Sequence, residues 1–155
     1  MILQTLFFPN KPFLFKKKIN DELFGLMWFN KSKDPKFNHY QAHFIFKPSN
    51  HEIDIFFDAD KEGINPRQKM FFYEIEKKYS ELLRQIVQPV TEKLEKRKLR
   101  EIKINDFSKE FTLFAISISR VSEFNQEWSL SYYSGKHSMT GFTINFKNWD
   151  IISID

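Results

Sequence analysis

From Phe71 to Ile86 the apolar residues Phe71, Phe72, Ile75, Tyr79, Leu82, Leu83 and Ile86 recur at spacings of three and four, with Glu74, Lys77, Lys78, Glu81 and Arg84 between them. That period gives a helix one apolar face and one charged face, so the segment must lay one side on something else. Its beginning is marked as well. Asn65 is a capping residue, Pro66 suits the first helical position, and Gln68 stands three residues after the cap, the spacing of a capping box. Gly63 permits a sharp entry. A helix over about 65–88 is predicted, and because Pro89 lacks the N–H that a continuing helix would use, 89–98 reads as a kinked extension or a second helix.

The surfaces flanking this helix alternate with a period of two. Leu23 to Phe29, Tyr40 to Phe46 and Glu52 to Phe57 are apolar or alternating runs, separated by Asn-Lys-Ser-Lys-Asp-Pro and Lys-Pro-Ser-Asn, both turn compositions. Tyr40, Ala42, Phe44 and Phe46 share one face of their strand, and Ile53, Ile55 and Phe57 share one face of theirs. Beyond the helix, Phe111 to Ser119, Glu127 to Tyr133 and Phe142 to Phe146 alternate again, and Ile151 to Ile154 is a short closing strand. Strands, one long helix, then strands, without regular βαβ alternation, predict an α+β fold of antiparallel strands flanking the helix.

The chain of 155 residues has no repeat or low-complexity linker and fits a single domain over 1–155. Its 19 Phe against only 4 Gly favour a packed core. With no Cys, a disulfide framework, a thiolate metal cage and a Cys nucleophile are all ruled out. The apolar run Met1 to Phe8 meets Pro9 rather than a small-residue cleavage site, and no signal peptide is expected. Charged residues break each apolar run before it reaches the length of a bilayer span, so a cytoplasmic location is expected. The net charge of +4 is unevenly spread. Lys93 to Lys103 holds six bases against two acids, Lys16, Lys17 and Lys18 form a second basic cluster, and Glu52 to Glu62 holds five acids against one base.

Several short constellations invite chemical readings. Asp58-Ala59-Asp60-Lys61-Glu62-Gly63 matches the first half of a calcium loop, but Lys69 occupies the place of the bidentate Glu and Pro66 interrupts the second half. An acidic turn suiting the helix N-terminus is the simpler reading. His39 and His43 lie four residues apart on a strand, about 13 Å, too far for two ligands of one zinc. Ser134, His137 and Ser138 are adjacent in a loop without a nucleophile elbow. Glu101-Ile102-Lys103 with Asp58 resembles the carboxylate and lysine set of metal-dependent nucleases, although charged residues flanking an Ile arise often by chance. Lys93 to Lys103 offers phosphate contacts, but Glu92, Glu95 and Glu101 interleave with its bases, the pattern of a solvated helix face.

Asp58-Ala59-Asp60, Gly63 and Pro66-Arg67-Gln68 are followed by Ile104-Asn105-Asp106-Phe107 and Glu110-Phe111, then by Ile116-Ser117-Ile118-Ser119-Arg120. Glu127-Trp128-Ser129-Leu130-Ser131-Tyr132 and Phe142-Thr143-Ile144-Asn145-Phe146-Lys147-Asn148-Trp149 complete the set. Through these residues the chain from Ile53 onward resembles small bacterial proteins, some of them similar to immunity proteins of antibacterial toxins. The resemblance supplies no catalytic residues. It implies a binding protein that neutralises a partner toxin by protein–protein contact, with no cofactor and no enzymatic activity of its own. Asp58, Asp60 and Glu62, set beside a helix start, are the expected partner-binding carboxylates. The alternatives are a nucleic-acid-binding module using 93–103, and a metal-dependent enzyme using the acidic turn 58–62.

Overall fold

The structure, a computed structural model, describes residues 15–122, 124–134 and 139–155; the side chains of 15, 16, 139 and 140 are left aside. It is an α+β fold. Four strands, β1 (Phe15–Asp21), β2 (Gly25–Lys31), β3 (His39–Phe46) and β4 (His51–Asp58), precede the long helix α1 (Pro66–Lys98). A one-turn helix α2 (Phe107–Glu110) leads into β5 (Thr112–Ile118), β6 (Glu127–Ser134), β7 (Met139–Lys147) and β8 (Asp150–Ile154). All eight strands form one sheet in chain order, and each neighbouring pair is antiparallel except β4 and β5, which run parallel.

The parallel pair departs from the antiparallel expectation for a simple reason. The helix is a crossover: the chain leaves the end of β4, runs the length of α1 and re-enters the sheet at the opposite end to form β5, which therefore points the same way as β4. A single βαβ unit thus joins two four-stranded meanders. β4, at the centre, is buried over Ile53–Phe57 on both faces, as strands in parallel pairs commonly are.

The helix starts as the capping residues dictate. Asn65 Oδ1 accepts from the N–H of Arg67 at 2.9 Å, and Gln68 Oε1 accepts from the N–H of Asn65 at 3.0 Å. Gly63 has φ +109, a backbone state closed to most L-residues. The helix does not break at Pro89: one continuous helix reaches Lys98, with the Thr91 hydroxyl donating to the Val87 carbonyl at 2.7 Å just beside the proline. It ends at Leu99, which adopts the left-handed conformation.

The core lies between α1 and one face of the sheet. Phe72, Ile75, Tyr79, Leu82, Ile86, Val90 and Leu94 come down onto Ile53, Ile55, Phe57, Ile116, Leu130, Tyr132, Ile144 and Phe146. Phe residues set the local fit, as where Phe72 meets Phe24, Phe44 and Phe46 at centroid distances of 5.0 to 6.1 Å. Phe107 carries α2 onto the same side by meeting Tyr132 edge-on at 5.2 Å. Among the described residues neither α-helix packs on the other face of the sheet, and that face carries the candidate site.

Candidate functional site

The register of the sheet sorts its outer face into ranks that cross all eight strands. One rank, at the end where β4 and β5 terminate, reads from β2 to β8 Asn30, His39, Asp58, Ser119, Glu127, Lys147 and Asp150. Every member is polar. The next rank reads Lys18, Trp28, Gln41, Phe56, Ser117, Ser129, Asn145 and Ser153. From β5 to β8 the outer face is floored by short side chains, and Ser117, Ser129, Asn145 and Ser153 line a shallow groove there of about 320 Å³. From β1 to β3 it carries Leu26 at 49%, Trp28 at 37% and Ile45 at 58% exposure, with Lys18 Nζ 4.7 Å above the Trp28 ring.

The acidic turn sits at the rim of this face, where the carboxyl ends of the parallel strands meet the start of α1. Its three carboxylates are in different surroundings. Asp60 is clasped by Arg120, whose Nη1 and Nη2 donate to its two oxygens at 2.5 and 3.3 Å, while Asn38 Nδ2 donates at 3.1 Å. The Arg120 hydrogen bonds first, then Asn38, hold its carboxyl below the usual range. Arg120 also donates to the Pro35 carbonyl at 2.7 Å, tying the β2–β3 connection to the strand ends. Asp58 is half-buried, and that burial pushes its carboxyl up to about 6, with Arg120 and the Ser119 side chain drawing it partly back. Glu62 alone of the three stands exposed, next to exposed Lys61.

Gln68 fastens the turn from beneath. With 1% of its surface exposed, its amide nitrogen donates to the carbonyls of Asp58 at 3.1 Å and Ser119 at 3.0 Å, with a longer contact to Ile118 at 3.4 Å. The free carbonyls at the ends of two parallel strands are therefore satisfied by one side chain of the first helical turn. Neither this role nor the Arg120 clasp is visible in local sequence, because the partners lie 50 and 60 residues away.

The other candidates separate. His39 is buried at 1% exposure, its Nδ1 3.0 Å from the Phe37 carbonyl and its ring edge-on to Phe56 at 5.7 Å. His43 is exposed and lies between Asp54 at 3.2 Å and Glu52 at 3.4 Å. Glu101 and Lys103 follow the C-terminal end of α1, whereas Asp58 precedes its N-terminal end; 33 residues of helix, about 50 Å, keep the nuclease-like set apart. Among the described residues no group of three or more His, Asp or Glu is placed to hold a metal ion. For the half calcium loop the reason is local, since donors from Arg120 and Asn38 already occupy the Asp60 oxygens. Ser134 is buried at the end of β6, and His137 and Ser138 lie outside the described residues. The basic residues Lys96, Arg97 and Lys98 form the last turn of α1, where positive charge complements the helix dipole. No described helix is long and apolar enough to cross a membrane.

No family model, curated protein or solved structure matches this chain.

Proposed function

We propose that the chain is a binding protein of immunity type, which neutralises a partner toxin by covering its active site with the outer face of the sheet. The observation that carries this reading is the combination, on one rigid surface, of an exposed apolar anchor and an acidic rim. The exposed parts of that face are its β1–β3 end, with Leu26, Trp28 and Ile45, and the rim at Glu62, while Asn30, His39 and Phe56 between them are buried. Trp28, with Leu26 beside it on the same strand face and Lys18 and Gln41 in the cross-strand positions, has the character of an interface anchor, since Trp is among the residues on which binding energy concentrates.

The acidic turn supplies the second part of the proposed contact. Glu62 meets the partner's Lys or Arg directly, while Asp58 and Asp60, held by Gln68, Asn38 and Arg120, fix the turn that presents it. The partner is accordingly a protein with a basic rim around an apolar pocket.

The test uses the purified protein and the product of the neighbouring gene. Trp28→Ala is expected to weaken the complex at least about tenfold, mostly through faster dissociation. Glu62→Lys is expected to slow association, and increasingly so at low salt. A complex that forms but keeps its affinity within threefold in both variants would overturn the assigned face, and failure of any complex to form would overturn the reading.

A further inference from the structure

On the helix side of the sheet, away from the proposed docking face, a cavity of about 220 Å³ opens between the β3–β4 turn, the middle of α1 and α2. Its apolar walls include Pro48, Leu83 and Phe107, with Phe107 and Phe111 stacked at 4.6 Å. The polar groups beside those walls are unusual in what they leave unsatisfied.

Tyr79 and Tyr132 both line the cavity, at 5% and 1% exposure, and their hydroxyls are 3.0 Å apart. Two phenols carry two protons, and one hydrogen bond between them uses one. The second proton remains available for an acceptor. Burial pushes Tyr79 up to about 12 and raises Tyr132 as well, so both are neutral donors across the physiological range. Ser49, on the opposite wall, has a hydroxyl that is buried and without a hydrogen-bond partner among the described residues. A buried polar group in this state costs stability unless something completes its bonding.

We infer that this cavity is a binding site for a small uncharged ring compound bearing a carbonyl oxygen. The ring would lie against Leu83 and Phe107, and the oxygen would accept the spare proton of the tyrosine pair. Charge on the ligand is disfavoured because no Lys, Arg, Asp or Glu is among the described lining residues to pair with it, and the one imidazole there, His51, is exposed. A volume equal to about seven waters holds one substituted ring and excludes a nucleotide or a peptide.

Acetophenone and ethylbenzene, which differ by the carbonyl oxygen, are suitable probes, followed through the NMR resonances of Tyr79, Leu83 and Phe107 in the intact protein. Acetophenone is expected to bind saturably with a Kd near about 1 mM, reasonable for nine heavy atoms, and at least about tenfold more tightly than ethylbenzene. The proton count makes a sharper demand. Tyr79→Phe or Tyr132→Phe alone removes one phenol but still leaves one unshared proton, so each single variant should keep the preference for acetophenone within about threefold. The double variant has no phenol proton, leaving serine hydroxyls as donors, and its preference for acetophenone should fall at least about fivefold. It replaces both hydrogen-bonding partners by apolar groups of the same shape, a change that folded proteins tolerate. Absence of saturable binding by acetophenone, or a preference for it that is undiminished in the double variant, would overturn the assignment.

Discussion

Asp58 shows how position decides the behaviour of a single residue. Asp58 and Asp60 are two residues apart, yet burial raises the carboxyl of one and Arg120 lowers that of the other. For Asp58 the folded pKa of about 6 lies above the ordinary 3.8, so between those values the folded chain holds more protons than the unfolded one. Stability due to this group therefore falls as pH rises from about 4 to about 6 and stays reduced above it. Asp58→Asn keeps an oxygen that can accept from Ser119 and removes the buried charge. It is expected to stabilise the protein at pH 8 by about 1 kcal/mol, to change nothing at pH 4, and to flatten that part of the stability curve. Urea unfolding at the two pH values measures this, and equal effects at both would show that the charge is not the cause. Asp60 carries the opposite sign, since its depressed pKa gives stability that is lost as acid titrates it away from Arg120. At this scale the sequence was informative only about near neighbours. Gln68 was readable as the third residue of a capping box, and that bond forms. Its grip on the strand-end carbonyls depends on the fold bringing Ile118 and Ser119 beside it.

Among the elements, those with a strong period were legible and those without were not. Seven strands and the start of the helix follow the alternation and capping signals within about three residues, the largest offset being at β7, which begins at Met139 rather than Phe142. β1 escaped because Phe-Lys-Lys-Lys-Ile-Asn-Asp has no apolar alternation, and its physical reason is its place: at the edge of a sheet, consecutive lysines pair on one side only and discourage pairing with another chain. The continuation of α1 through Pro89 was open in the sequence and is settled by tertiary contact, since Val90 and Leu94 are 1% exposed against the core and hold the last turns in place. The phase of the helix gives a direct test. Leu82→Ala should cost about 2 to 5 kcal/mol, because Leu82 is 2% exposed and the cavity left behind has rigid neighbours. Lys77→Ala, on the exposed side, should change stability by less than about 0.5 kcal/mol. Lys78 is a poorer control than its sequence position suggests, because its ammonium lies 4.0 Å from the centre of the Trp149 ring. Comparable losses from Leu82→Ala and Lys77→Ala in chemical denaturation would contradict the orientation of the helix.

Across the whole molecule, α1 converts a sequence asymmetry into a spatial one. The carboxylates of Asp58, Asp60 and Glu62 gather at its N-terminal end and Lys96, Arg97 and Lys98 form its last turn, so each cluster also complements the nearer pole of the helix dipole. The two ends are about 50 Å apart, several Debye lengths at physiological salt, and therefore act on a charged partner independently. This separation allows the proposed docking end to be told from the opposite end by charge reversal. Lys96→Glu, Arg97→Glu and Lys98→Glu together should destabilise the fold by about 1 kcal/mol, through unfavourable charge at a helix C-terminus, while the rate of association with the proposed partner stays within about twofold. Glu62→Lys should do the reverse: change stability by no more than about 0.3 kcal/mol, since it lies before the first turn, and slow association severalfold at low salt, with the difference fading as salt is raised and exposed charges are screened. Stopped-flow association and thermal unfolding on the same two variants measure both quantities. If the basic-end variant instead slows association while Glu62→Lys leaves it untouched, the partner approaches the C-terminal end of α1, and the proposed docking on the sheet face is wrong.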